Sequence, residues 1–342
     1  MSIEIPVLRL GMAGYTGEQQ KLASAAAAAA SNGRARWEIA AFTEADGWWL
    51  DGARTVLLPD QHLRVQPATA SDRPVQLALS DVDRPVAFSV PVTAPGFKPA
   101  VTFQLGEQGD TTRVLNLFAD WLQVMLSQFA LASSIAENQP RLASGSWEVL
   151  RGSDLLAVVD LKLGAGVRPG VTSKDFVEAS WCIRDHGAVV IPPGYPRASV
   201  SQVMWQYAQR SERELLPSHY RSQPLYFRRP PRLPQRQLKD AHLLVIRELA
   251  ANPGLNFNGL QQATGLGTEA LARVLSALYV VGSITSNPKR ASAPVLRAAV
   301  ADDGTVANSD IFQSVMDSKP RPPDLPRRVI SDMTAPVPLM RE

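Results

Sequence analysis

Cysteine is almost absent from this 342-residue chain, which contains only Cys182. A single cysteine excludes an internal disulfide and any zinc site built from several thiolates. A free cysteine behaves as a small apolar side chain, so we expect Cys182 to be buried in a core.

Neither a strong charge imbalance nor a long apolar run is present. The 35 Lys and Arg residues exceed the 32 Asp and Glu residues by only three, so any nucleic-acid contact must come from a local basic patch. The most apolar run, residues 121–132, is too short to span a bilayer, and no secretory signal is visible at the N-terminus. We therefore expect a cytoplasmic protein without membrane insertion.

Catalytic motifs are missing as well. The sequence contains no G-x-S-x-G, no Walker loop and no zinc spacing, and no i, i+4 pair occurs among His62, His186, His219 and His242. Asp185 and His186 are adjacent, but neighbours on a strand point to opposite faces and no nucleophile accompanies them. We expect a non-enzymatic protein that binds no metal and no cofactor.

The N-terminal third opens with a strand–helix–strand unit, which is typical of an α/β domain with a right-handed crossover. Strands are predicted at 7–10, 37–42, 48–50, 76–79 and 86–90. The helix between the first two, at 16–31, is expected to begin with a capping box, in which Thr16 and Gln19 satisfy each other's backbone amides.

A glycine-rich loop, residues 11–17, connects the first strand to this helix. Such a loop can hold a phosphate, and its spacing resembles the nucleotide loop of some short-chain dehydrogenase/reductase relatives, with Glu44 placed to contact a ribose. The Tyr-x-x-x-Lys pair of that family is absent, and the alternation of strands with helices stops after Glu44. Glycines that permit a tight turn and close packing are the favoured interpretation.

The same region resembles a degenerate response-regulator receiver domain. In that family an aspartate follows the third strand and a Ser or Thr follows the fourth, and Asp51 and Ser80 stand at those places here. The acidic pair after the first strand and the lysine after the fifth are missing, which leaves too few oxygen ligands for Mg²⁺. The resemblance therefore implies a pseudo-receiver that contacts protein.

A long helix is predicted at 111–136 because apolar residues recur at every third or fourth position. Core packing is its expected use, and a homodimer through this helix is the alternative. In the central region, strands at 147–150 and 155–161 are expected to form a hairpin, and helices are expected at 173–181 and 199–215.

The most informative segment, residues 256–290, has the order helix, glycine turn, helix and β-hairpin. The helices are predicted at 257–264 and 268–278, and Gly265 between them can adopt the positive φ that the reversal requires. With residues 279–285 as the following strand, this segment resembles the winged helix-turn-helix family. It departs from that family at Gln261, where many members have a small residue.

Winged helices also serve as protein-docking modules, so the fold alone does not give the function. The expected outward positions of the second helix are Thr268, Glu269, Arg273 and Ser276, which offer one cation and one anion to a DNA groove. Duplex affinity comes mainly from neutralised phosphates, so this helix is poorly equipped to read bases.

A basic segment before this module supplies the cations that the second helix lacks. It contains Arg221, Arg228, Arg229, Arg232, Arg236 and Lys239, with Tyr220, Tyr226 and Phe227 interleaved, and Lys289 and Arg290 follow the module. Three interpretations stay open: contact with the DNA backbone, a linker whose arginines pair with neighbouring carboxylates, and a nucleotide site. For the third, the R-x-x-x-R spacing of Arg228, Arg232 and Arg236 is similar to the arginine motif of PilZ domains, which bind cyclic di-GMP, although the D/N-x-S-x-x-G partner motif is absent.

The sequence thus predicts a multi-domain bacterial signalling or transcriptional regulator. Its expected parts are an α/β pseudo-receiver at 1–105, a connecting helix at 106–143, a central α+β domain at 144–236, a winged helix at 237–290 and a disordered proline-rich tail at 291–342. DNA contact is assigned to Arg273, Thr268, Ser276, Lys289, Arg290, Arg228, Arg229, Arg232 and Arg236. The alternatives are a scaffold or adaptor whose terminal domains both contact a protein partner, and a nucleotide sensor.

Overall fold

The computed structural model describes residues 3–69, 73–138, 142, 145–160, 163–185, 189–234 and 237–292. Within them the chain is mixed α/β, with one parallel sheet, three antiparallel sheets and several helices. The predicted tail from residue 293 onward lies outside the described residues.

Parallel strands form the first sheet, as the strand–helix–strand pattern predicts. Its order is β2-β1-β3-β7-β8, with β1 at Val7–Ala13, β2 at Arg36–Ala40, β3 at Gly47–Asp51, β7 at Val86–Ser89 and β8 at Thr102–Phe103. All four neighbouring pairs are parallel. Counted within this sheet the order is 2-1-3-4-5, one of the two common doubly wound arrangements.

Two helices, α1 at Gly17–Ala30 and α2 at Gln108–Trp121, share an apolar core with this sheet. Thr16 and Gln19 form the predicted capping box at the start of α1. The buried residues of α1 are all alanines, so the helix can approach its neighbours closely, and Trp37 and Phe118 fill the space beside it.

A second apolar core lies between the first sheet and an insertion that the sequence analysis did not recognise. β4 (Thr55–Leu57), β5 (His62–Val65) and β6 (Val75–Ala78) form an antiparallel sheet between β3 and β7. The strand predicted at 76–79 belongs to this insertion, and the one predicted at 86–90 is the fourth parallel strand. Short apolar strands look alike in parallel and antiparallel pairing, so local patterning could not separate them.

The long helix predicted at 111–136 is two helices. After Leu122 the chain turns by 67°, and α3 then runs from Gln123 to Asn138. The bend divides the apolar stripe, because Phe118 of α2 lies in the first core and Phe129 of α3 lies in the core of the central sheet. No single helix among the described residues is long and apolar enough to cross a membrane; α2 and α3 meet that criterion only when taken together.

The central sheet is antiparallel, in the order β12-β9-β10-β11-β13. Its strands are β9 (Ser146–Arg151), β10 (Asp154–Asp160), β11 (Gly164–Val167), β12 (Ser180–Arg184) and β13 (Arg197–Ala198). β9 and β10 form the predicted hairpin. The helix predicted at 173–181 is shorter, since α4 covers only Ser173–Val177 and the chain then enters β12.

The C-terminal module has its own core, built from helices and a two-stranded sheet. The elements are α5 (Val200–Arg210), α6 (His219–Ser222), β14 (Tyr226–Phe227), α7 (Asp240–Ala251), α8 (Phe257–Thr264), α9 (Thr268–Val280) and β15 (Ile284–Thr285). Trp205 and Ala208 of α5 belong to this core, so it extends well upstream of residue 237.

Candidate nucleic-acid interface

Helices α8 and α9 meet at the turn that the sequence predicts. Gly265 ends α8 in the left-handed region, with a φ of +68°. Leu260 and Leu271 are fully buried in the core that the two helices share. Gln261, the position that departs from the winged-helix pattern, donates a hydrogen bond of 3.1 Å to the Thr268 hydroxyl and so links the ends of the two helices.

Replacing Gly265 by alanine should lower the free energy of unfolding by about 1 kcal/mol, because a left-handed φ brings Cβ too close to the next carbonyl oxygen. Gly267 is the matched control, since its φ is −64° and both glycines have open space around a new Cβ. Gly267→Ala should change stability by less than about 0.5 kcal/mol in urea denaturation. Equal losses in the two variants would contradict the assigned turn.

The β-hairpin expected after α9 does not form within the described residues. Tyr279 and Val280 belong to the last turn of α9, and only residues 284–285 of the predicted strand are extended. The partner of β15 is β14, which comes from the basic segment more than fifty residues upstream. Because this pairing joins distant parts of the chain, no local pattern in the sequence indicates it.

The outward face of α9 is shorter than predicted. Thr268, Glu269 and Arg273 are exposed, but Ser276 is buried and its hydroxyl donates to the Ala272 carbonyl at 2.8 Å. Its predicted outward position is therefore wrong.

Helix α5 explains the burial of Ser276. It packs along α9, where five consecutive residues, 274–278, are buried. A helix that enters the major groove needs one face free along its length, whereas α9 is free only toward its N-terminal end.

Arg273 is exposed, and its charge acts on a residue of the first sheet. The pKa of Arg9, on β1, is lowered mainly by burial; Asp46 opposes this effect, and the positive charge of Arg273 adds to it. The cation expected to reach base edges is thus close to another part of the same chain.

Two members of the basic segment pair with carboxylates, as the linker interpretation expects. Arg221 donates to Glu214 at 2.8 Å and its guanidinium lies 5.5 Å from the ring centre of Phe257. Lys239 lies 3.3 Å from Glu44, which follows β2. These two cations have structural partners and are less available to a ligand.

Arg228, Arg229 and Arg232 behave differently. All three are exposed, and none forms an ion pair with a carboxylate in the described part of the chain. Partial burial and the charges of Arg228 and Arg232 lower the pKa of Arg229, so the three guanidinium groups are close enough to repel one another. Arg229 Nη2 donates to the carbonyl of Val281 at 3.4 Å, which places these charges beside the C-terminal end of α9.

Lys289 and Arg290 stand beside them. They lie in a 3₁₀ turn, Pro288–Arg290, and both are exposed. Ser292 brings the chain after this turn back to β14, because its amide donates to the Phe227 carbonyl at 2.9 Å and its hydroxyl donates to the Arg228 carbonyl. We call Arg228, Arg229, Arg232, Lys289 and Arg290 the basic cluster; Arg236, also assigned to DNA contact, lies outside the described residues.

The aromatic residues of the basic segment contribute to packing. Tyr220 is buried in the C-terminal core, and Phe227 packs against the same core. The Tyr226 ring is half-buried and lies against Gly254, 3.6 Å from the position of a Cβ there. None of the three is a fully exposed ring on which a base could stack.

The glycine loop 11–17 offers little room for a phosphate. Its capping amides are already occupied: the Thr16 amide donates to Gln19, and the Gln19 amide donates to Thr16. A Cβ on Gly11 would meet Ala45 at 2.8 Å, and one on Gly14 would meet Val65 at 2.9 Å. These contacts match the tight-turn interpretation, and the nucleotide site stays an untested prediction.

Asp51 lies at the carboxyl end of β3, as the receiver resemblance implies, but Ser80 does not follow a strand of the parallel sheet. Ser80 is exposed in a 3₁₀ turn after β6, so its predicted place at the end of the fourth parallel strand is wrong. Ser89 occupies that place and is the register partner of Asp51. Asp51 is only 7% exposed, and the buried Tyr15 lies close enough for the Asp51 charge to raise its pKa further, after burial.

The histidines and the cysteine are dispersed in the described part of the chain, where no group of three His, Cys, Asp or Glu side chains could hold a metal. Cys182 is half-buried on β12, so its expected place inside a core is wrong. His186 lies outside the described residues.

His242 is the one strongly perturbed histidine among the described residues. It is 3% exposed, and its Nδ1 accepts the Lys239 amide at 3.2 Å, the role that Glu or Gln has in a capping box. Burial, and then the positive charge of Lys239, lower its pKa to about 4.

This shift predicts a loss of stability in acid. His242 stays neutral in the folded protein as the pH falls from about 6.5 to about 4, whereas in the unfolded chain it gains a proton. The free energy of unfolding should therefore fall by about 2 kcal/mol between pH 8 and pH 5 through this residue alone. His242→Gln keeps a capping acceptor and does not titrate. In urea denaturation, the fall in the free energy of unfolding between pH 8 and pH 5 should therefore be about 2 kcal/mol smaller in this variant than in the wild type. Identical pH profiles of the two proteins would refute the assignment.

No family model matches the chain, and no curated protein or solved structure is significantly similar to it.

Proposed function

We propose that the protein is a non-enzymatic regulator that binds the backbone of double-stranded DNA through the basic cluster. One observation carries this proposal: five exposed cations lie around β14 and the turn after β15, and none pairs with a carboxylate in the described residues. Arginine and lysine in this state can neutralise phosphates without first breaking internal ion pairs.

The position of the basic cluster favours backbone contact over base reading. It lies beside the C-terminal end of α9, whereas helix-turn-helix proteins read bases with the N-terminal residues of this helix. That end of α9 carries Glu269, whose charge repels phosphate. We therefore propose binding that depends weakly on sequence.

Duplex DNA is a better ligand for this surface than a single strand. Single-strand binders gain much of their affinity from bases that stack on exposed aromatic rings. The nearby rings of Tyr220, Tyr226 and Phe227 are wholly or partly buried, so charge is the main attraction, and duplex DNA has the higher charge density.

The arrangement of the C-terminal helices and of the first sheet supports a regulatory role. The α7–α8–α9 arrangement with the Gly265 turn resembles a winged helix whose usual hairpin is replaced by the β14–β15 pair. The strand order of the first sheet and Asp51 at the end of β3 favour a receiver-like domain. Because Asp51 is buried and its carboxylate lies 3.6 Å from the Arg54 guanidinium, we propose that this domain contacts protein and accepts no phosphate.

A protein scaffold is the second candidate, and the packing of α9 favours it. α5 packs on α9 and residues 274–278 of α9 are buried, so much of the helix most used for DNA recognition is engaged within the chain. In that case the basic cluster would bind an acidic protein surface.

The salt dependence of duplex binding tests the proposal. Five phosphate contacts predict a slope of about −4.5 for log K against log salt, and a loss on the order of 10²- to 10³-fold between 50 and 200 mM. Duplexes of unrelated sequence should bind alike, and a single strand of equal length more weakly. Absence of duplex binding even at low salt would refute the proposal and favour the scaffold.

A further inference from the structure

Each sheet edge in the described residues is either short or protected by charge, with one exception. β8 and β13 have two residues each, β4 has three, and β6 has four and follows Pro74. β2 has five, but Arg36 and Glu38 form an ion pair there, and charges on an edge strand discourage pairing with another chain.

β12 is the exception. It is a regular five-residue strand at the edge of the central sheet, lacks proline, and has a charged residue only at its end, Arg184, whereas β2 also carries Glu38 at its centre. Ile183 is 58% exposed, and Trp181 and Trp147 beside it are half-buried with a ring-centre distance of 6.4 Å. An unpaired edge with apolar side chains is a template for another strand.

We propose that β12 pairs with β12 of a second copy of this chain, antiparallel about a two-fold axis at Cys182. This register places Cys182 opposite its own copy, Trp181 opposite Ile183 of the second copy, and Ser180 opposite Arg184. The central sheets of the two copies then form one ten-stranded sheet, since each contributes five strands.

The strand is self-complementary in this register. Side chains alternate along a strand, so Trp181 and Ile183 lie on the same face of the sheet, next to Trp147. On this face, Trp181 of each copy contacts Ile183 of the other copy. On the other face the charged Arg184 meets the neutral Ser180, which avoids the like-charge contact that an in-register parallel pair would create. The charge of Arg184 is also neutralised within its own chain, because its Nε lies 3.0 Å from the Glu148 carboxylate.

This interface differs from the predicted alternative, a homodimer through the helix at 111–136. The stripe of the helix at 111–136 is divided between two cores, and residues 126–135 are all buried. A second copy therefore finds no continuous apolar stripe on α2 or α3 in the described structure, whereas β12 presents the exposed Ile183 beside the half-buried Trp181.

The oligomeric state in solution tests the proposal. The mass measured by sedimentation equilibrium should rise from 37.1 kDa toward twice that value as the concentration increases. Ile183→Lys should shift the midpoint at least tenfold to higher concentration, because it places a charge on the edge. Val177→Lys, also at an exposed apolar residue but in α4, should leave the midpoint unchanged. A chain that stays monomeric, or an Ile183→Lys dimer as stable as the wild type, would overturn the proposal.

A second pair of variants avoids any change in the apolar surface. Ser180 is exposed and faces Arg184 of the second copy, so Ser180→Glu should strengthen the dimer and Ser180→Lys should weaken it. If both substitutions strengthened the dimer, or both weakened it, this register would be refuted.

The single cysteine provides a direct check of the axis. Residues opposite each other in an antiparallel pair have Cα atoms about 4.5–5.5 Å apart, so the two Cys182 thiols should be joined by a short bis-maleimide. Cross-linked dimer should form in the wild type and not in Cys182→Ser. A wild-type protein that forms dimers by mass but yields no cross-link would place the axis elsewhere and overturn the proposed pairing.

Discussion

Replacing Arg228, Arg229 and Arg232 by serine should weaken duplex binding about 100-fold at 0.15 M salt and reduce the salt slope by about 2.7. Each lost phosphate contact removes about 0.9 from the slope, because fewer counterions are released. The three side chains are exposed and have no carboxylate partner in the described structure, so their loss removes cations without leaving a buried acid unpaired. Fluorescence anisotropy over a salt series measures both quantities.

A second triple variant distinguishes the effect of the basic cluster on DNA affinity from the effect of net charge. Arg34, Arg113 and Arg168 are each ion-paired on other parts of the surface, and replacing them by serine changes the net charge by the same three units. This variant should retain wild-type affinity to within about threefold, since net charge acts only at long range through screened interactions. If both triple variants lose affinity equally, binding is not localised at the basic cluster.

Replacing Glu4 by alanine should lower the free energy of unfolding by about 3 kcal/mol, because the hydroxyl groups that donate to its buried carboxylate lose their acceptor, at about 1–3 kcal/mol for each buried group. Arg213 adds little to this loss, since its side chain is 33% exposed and keeps Glu137 as an ion-pair partner. The carboxylate is buried beside β1 and accepts a hydrogen bond of 2.8 Å from Tyr207 of α5, while Arg213 lies 3.1 Å away. Ser133 of α3 donates at 3.3 Å, and Ser211 donates as well. Burial, and then the negative charge of Glu4, raise the pKa of Tyr207 to about 12.

An exposed pair provides the matched comparison for Glu4. Glu38 pairs with Arg36 on β2, and the two side chains are 48% and 42% exposed. Glu38→Ala should cost less than about 1 kcal/mol in urea denaturation, because water screens a surface ion pair. Losses of similar size in the two variants would show that Glu4 does not hold the N-terminal segment to α3 and α5.

Features with a local physical cause are the ones that could be predicted from sequence. The capping box of α1 depends on residues three apart, the turn between α8 and α9 depends on one glycine, and the β9–β10 hairpin depends on alternating residues around a short turn. Each signal is complete within a few neighbouring residues, so no distant contact is needed to interpret it.

Features that depend on distant contacts were missed. The bend at Leu122 exists because α2 and α3 belong to different cores, and the pairing of β14 with β15 joins segments on either side of three helices. Ser276 illustrates the consequence for a site, because its position on the helix was known but the helix that buries it, α5, is far away in sequence.

The sequence by itself determined the local elements, the presence of a parallel sheet and the excess of cations before and after the C-terminal helices. Only the tertiary structure decided which of those cations have a carboxylate partner among the described residues. Arg221 and Lys239 are engaged by Glu214 and Glu44, whereas the β14–β15 pair and the contacts of Ser292 bring Arg228 and its neighbours beside Lys289 and Arg290. The physical reason is that ion pairs and surface patches depend on distances in space, and sequence separation does not specify those distances.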